Sequence, residues 1–78
     1  MTPGMVALAF TEVASAVNGA IEMHGDAMNA DIAACAVDVL LDGCEDDTAA
    51  HFIIADSGTH GRALLDAMAL AYFESLAL

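Results

Sequence analysis

Between Asp26 and Asp47 the chain reads DAMNADIAACAVDVLLDGCEDD, an apolar stripe at helical spacing that ends in a glycine and a run of carboxylates. At about 100° per residue, Asp31, Asp38 and Asp42 fall in one narrow sector of a helix. Met28, Ile32, Cys35, Val37, Val39 and Leu40 spread over the remaining faces, with Leu41 near the boundary. Asp26 or Asn29 is the expected N-cap, because a short side-chain oxygen accepts from the free first-turn amides. Gly43 suits the left-handed residue that follows a last turn. Ala33, Ala34 and Ala36 favour helix and are small enough for another backbone to approach closely. Cys35, on the apolar side, is expected as a small core residue. Asp42 is out of place electrostatically, since a carboxylate at a helix C-terminus opposes the macrodipole. Glu45, Asp46 and Asp47 follow it with no cation nearby in the sequence, so these carboxylates repel one another.

The flanking segments have the same period. Thr2-Pro3 reads as an N-cap followed by proline at the first helical position. Val6, Phe10, Val13, Val17, Ile21, His24 and Met28 then recur at spacings of three or four, which predicts a helix over Met5 to Met23 with Gly25 as its stop. Thr48 to Asp56 reads as a short helix ended by Gly58. Thr59 is the expected cap of a last helix from about His60, with Leu64, Leu65, Met68, Tyr72, Phe73 and Leu76 as its large apolar residues. The expected fold is all-α, a small four-helix bundle-like domain over residues 1–78. Short apolar runs do not separate helix from strand by period alone, so residues 5–10 and 51–55 leave an α+β alternative.

Seventy-eight residues make one domain with a thin core, in which burial against a second copy would help, so a homodimer is a reasonable expectation. Twelve Asp or Glu stand against the single Lys or Arg, Arg62, for a net charge of −11. That balance argues against direct binding to nucleic acid or to an anionic membrane, which need Lys and Arg. It favours a basic partner. High hydrophobicity with periodic apolar positions argues for a folded chain. Two cysteines make no disulfide framework, no signal peptide is evident, and the charge-free run from Met1 to Thr11 is too short to span a bilayer; a soluble, cytoplasmic protein is expected.

Candidate chemistry is sparse. Cys44, Glu45, Asp47, His51 and His60 can be drawn as a metal set, but the chain has no CxxC, HxxxH or HExxH spacing and no Gly-centred calcium loop. Asp56, Ser57 and His60 lie too close along the chain to form a catalytic relay, and no GxSxG elbow is present. No enzyme activity, metal or cofactor is expected. The partner-binding residues expected from the sequence are Asp31, Asp38, Asp42, Glu45, Asp46 and Asp47, acting on the basic surface of a nucleic-acid-binding protein.

Two resemblances sharpen that expectation. A small, single-domain, strongly acidic chain without enzyme motifs resembles phage-encoded anti-CRISPR inhibitors and other nucleic-acid mimics in composition, with no shared motif. The resemblance implies an inhibitor that occupies a basic groove on a CRISPR effector, with a Cas subunit as partner, and keeps target DNA out. Asp56-Ser57 ahead of an amphipathic helix resembles instead the phosphopantetheine site of an acyl carrier protein, with Gly58 where that family has leucine. That alternative implies modification at Ser57. An unassigned helical interaction protein is the remaining reading.

Overall fold

The computed structural model describes residues 2–43 and 48–76, and among them no strand occurs. The first helix, α1, runs Pro3–His24. Thr2 caps it, its Oγ1 accepting from the Met5 amide at 3.2 Å, and Pro3 begins the helix where a missing amide costs nothing. At Gly25 the backbone turns to φ 55°, ψ −124°, a conformation open to glycine. One turn of 3₁₀ helix, Gly25–Ala27, leads to the second helix. That helix, α2, spans Ala30–Gly43. Of the two expected caps, Asn29 is the one used: its Oδ1 accepts from the Ile32 amide at 3.0 Å.

The third helix, α3, runs Ala49–Leu76 and carries Gly58 at φ 54°, ψ −123° within it. The described residues therefore form three α-helices where four are expected from the glycines. Gly58 has nearly the backbone conformation of Gly25, yet it turns the chain within one residue and leaves no loop between the two halves. The expected segments Thr48–Asp56 and His60 onward are the two arms of one kinked helix. The bend is sharp. Residues eight apart on a straight helix stand about 12 Å apart along the axis, whereas a Cβ placed on Gly61 would lie 2.6 Å from the Ile53 carbonyl oxygen. Residues 5–10 and 51–55, the possible strands, are both helical.

All three helices share one core. Val13 and Val17 of α1 meet Val37 and Leu40 of α2 and Ile53 and Leu65 of α3, each nearly or fully buried. Ala9, Ala36, Ala49, Ala50 and Ala69 belong to the same core, and Ala33 is buried as well. Cys35, expected in the core, is exposed. The buried face of α2 is the stripe Ala33, Ala36, Val37 and Leu40, and at about 100° per residue Cys35 falls instead in the sector of Asp31 and Asp42, roughly 40° and 20° from them. At the far end of α3, Tyr72 packs edge-on against Phe10 of α1 with ring centroids 6.1 Å apart, and its hydroxyl donates to Asn18 Oδ1 at 3.0 Å.

Candidate functional site

The expected acidic stripe forms. Asp31, Asp38 and Asp42 are all exposed on α2, opposite the side that carries Val37 and Leu40. Asp31 sits in the first turn, where negative charge is favoured. Glu45, Asp46 and Asp47 lie outside the described residues, as does Cys44.

Asp38 is not the uncompensated charge that its neighbours in sequence suggest. Arg62 of α3 donates from one terminal guanidinium nitrogen to Asp38 Oδ1 at 2.6 Å and from Nε to Asp66 Oδ1 at 3.0 Å. Its hydrogen bond, and then its charge, hold the Asp38 carboxyl below the ordinary value of 3.8. The same bond to Asp38 raises the guanidinium above its own ordinary value, against a partial desolvation that lowers it. The Asp38–Arg62 side chains are 57% and 32% exposed, so the pair orients two helices more than it stabilises them. Its consequence for the surface is larger: the single Lys or Arg of the sequence is held between two carboxylates.

The junction between α2 and α3 holds two residues whose roles the sequence does not reveal. Glu12, midway along α1, reaches the N-terminus of α3, where its two carboxylate oxygens accept from the Ala49 and Ala50 amides at 3.0 and 2.9 Å. Thr48 Oγ1 accepts from the third amide, that of His51, at 3.3 Å, and the Thr48 carbonyl takes the fourth, from Phe52, at 3.1 Å. Every first-turn amide of α3 is thus satisfied, and a carboxylate sits at the positive end of its macrodipole. His51 ties the same end to α2. Its Nε2 donates to the Leu41 carbonyl at 2.8 Å, which leaves Nδ1 to accept from the Thr48 hydroxyl at 2.5 Å. No period or spacing marks Glu12, because its partners lie 37 and 38 residues away. The only signal is indirect: the first turn of α3 needs acceptors and Thr48 supplies too few.

The remaining candidates stay apart. Ser57 is half-buried inside α3, one residue before the kink, and its Oγ donates to Asp56 Oδ2 at 3.2 Å. His60 is exposed, and so is His24, in the last turn of α1. Among the described residues no three His, Cys, Asp or Glu side chains are placed to hold a metal ion. Within Pro3–Ala27 an 18-residue window has a mean hydropathy of 1.4, so the segment is long and apolar enough to cross a membrane by length and composition; here that helix contributes Val13 and Val17 to the core. Comparison with family models, curated proteins and solved structures returns no match.

Proposed function

We propose that the protein is a non-enzymatic binder of a basic protein surface, one that its target uses to hold nucleic acid. In this reading it is an inhibitor of the anti-CRISPR type, its partner is a Cas subunit, and it acts in the cytoplasm of a bacterial host. The specific identity follows from the compositional resemblance. The general one is supported by a single observation: Arg62 is held between Asp38 and Asp66 while Glu22, Asp26, Asp31, Asp42 and Glu74 face outward. A net charge of −11 with its guanidinium held by two carboxylates projects an almost unbroken negative field, which attracts Lys and Arg and repels phosphate.

Local competition for basic side chains is the proposed mechanism, and a literal copy of a duplex is not. On a helix rising 1.5 Å per residue, Asp31, Asp38 and Asp42 stand about 10 and 6 Å apart along the axis. A DNA duplex carries one charge per about 1.7 Å. One stripe is too sparse to match it, and the carboxylates that follow Asp42 in the chain raise the local density.

The test is a pull-down from host lysate at low and high salt, followed by a variant with part of its charge removed. D42N/E45Q/D46N/D47N removes four charges at nearly constant volume, and close charge pairs at an interface can each be worth more than about 1.5 kcal/mol. Recovery of a Cas complex that the variant no longer retains is expected. A variant that stays folded and binds as tightly as wild type would refute the assignment of these residues. A phosphopantetheinyl mass increase on Ser57 would replace it with the carrier reading.

A further inference from the structure

A groove of about 470 Å³ lies between α1 and α2, open to solvent as far as the described residues go. Its floor is made of small residues, Ser15, Ala16, Gly19 and Ala20 of α1, with Leu40 of α2 beside them. Met23 and Val39 stand at its sides 81% and 69% exposed, the two most exposed large apolar side chains described. Gly19 opens it to the backbone, since a Cβ there would meet nothing within 4 Å. Exposed carboxylates flank it by helical register: Glu22 lies one turn beyond Gly19, and Asp42 one turn beyond Val39.

The chemistry of the groove narrows its occupant. A small polar ligand would need oriented polar groups in the floor. The one carboxylate that lines it, Glu12, already accepts from two amides, and among the described residues no buried side-chain polar atom lacks a partner. A second copy would bring the same carboxylates against Glu22 and Asp42. An anionic lipid surface would be repelled in the same way. What remains is a ligand both apolar and cationic, in a shape that fills a channel between two helices.

We infer that the groove receives a basic amphipathic helix of the partner protein, its apolar stripe seated over Gly19 between Met23 and Val39 and its Lys or Arg residues paired with Glu22 and Asp42. The inference rests on the proposed function and adds to it a seat and a partner chemistry: an apolar stripe flanked by cations satisfies floor and rim together.

A synthetic helical peptide of Leu and Lys with one apolar stripe is the probe, and a scramble of the same composition without a stripe is its control. Each is titrated into ¹⁵N-labelled full-length protein, with affinity read by fluorescence anisotropy. The striped peptide is expected to bind at least about tenfold more tightly than the scramble and to shift the amides of residues 15–23 and 39–43. G19L fills the groove at an open helical position, so it is expected to melt no lower than wild type yet to lose about tenfold or more in affinity. E22Q/D42N should lose affinity and salt dependence while leaving the groove open. Equal binding of both peptides, or wild-type affinity in G19L, would overturn the groove as the seat and leave the basic-partner reading standing. Failure of both peptides to bind even at low salt would overturn that reading itself. A free protein with a mass near twice 8.0 kDa that G19L returns to one copy would assign the groove to a second chain and overturn the proposal.

Discussion

Replacing Glu12 by alanine is expected to destabilise the protein more than removing any other carboxylate. The side chain accepts from the first two amides of α3 at 3.0 and 2.9 Å, and both amides belong to buried residues, Ala49 and Ala50. Two hydrogen bonds to a charged acceptor are worth about 1.5–3 kcal/mol each. Water can enter where a half-buried side chain is removed, which brings the loss toward the ~1–2 kcal/mol typical of lost helix caps. About 2–3 kcal/mol is therefore expected, out of the roughly 4–12 kcal/mol usual for a domain of this length. In melting temperature that is a drop of about 10–20 °C. Circular dichroism during heating and urea titration reads both quantities. E12Q keeps one acceptor oxygen and should lose roughly half as much. E74Q, near the C-terminus of α3 where a carboxylate opposes the dipole, should lose nothing. If E12A falls within the ~0.5 kcal/mol of an ordinary surface substitution, the carboxylate does not hold α3 to α1 and the packing argument fails.

The two glycines that face opposite surroundings should respond oppositely. In G61A a Cβ would sit 2.6 Å from a backbone carbonyl, which cannot yield as a side chain does, so a net loss of about 1–2 kcal/mol is expected from urea unfolding; a stabilised variant would refute the tight kink. G19A meets open space and should gain about 0.5–1 kcal/mol from helix propensity, measured in the same way. Sodium chloride should raise the melting temperature between low and moderate concentration, since a Debye length near ~8 Å screens repulsion among exposed carboxylates; a fall would refute it. For Asp38 the folded-state pKa is depressed by Arg62, so its stabilising contribution is present above the unfolded value and is lost as pH falls through the lower folded one. An NMR titration should place the Asp38 midpoint below 3.8, D38N should abolish that acid-side loss, and a midpoint at or above 3.8 would refute the pairing.

What the sequence makes legible is what neighbours in the chain decide. Thr2, Pro3 and Gly25 bound α1 through contacts no more than four residues long, and their roles follow from residue type. The kink at Gly58 is legible as a stop but not as a bend, because a positive φ looks the same in sequence whether a loop follows it or not. A core position for Cys35 conflicts with the arithmetic that groups Asp31, Asp38 and Asp42, which puts it roughly 20° from Asp42 and 40° from Asp31, on the exposed side where it is found. Helical period gives the order of residues around α2, but where alanine makes the helix apolar on most sides, only the neighbouring helices fix which sector is buried. Arg62 and Asp38 are 24 residues apart, and Glu12 is 37 and 38 from its partners. Such pairs exist only once three helices are packed, and no pattern within one helix announces them.

The acidic residues divide accordingly into those the fold uses and those it does not. Glu12 caps α3, Asp38 and Asp66 hold Arg62, and Asp56 accepts from Ser57. Glu22, Asp26, Asp31, Asp42 and Glu74 make no side-chain bond among the described residues. Asp31 still gains from the start of α2, but Asp42 and Glu74 sit near helix ends where the macrodipole opposes them. A chain under selection for stability alone would lose such charges, since each adds to the self-repulsion that works against the compact state. Two of them, Glu22 and Asp42, flank the apolar groove between α1 and α2, which gives that part of the surplus a place to act. It is the surplus, and not the acidic total, to which the proposed binding of a basic partner is assigned.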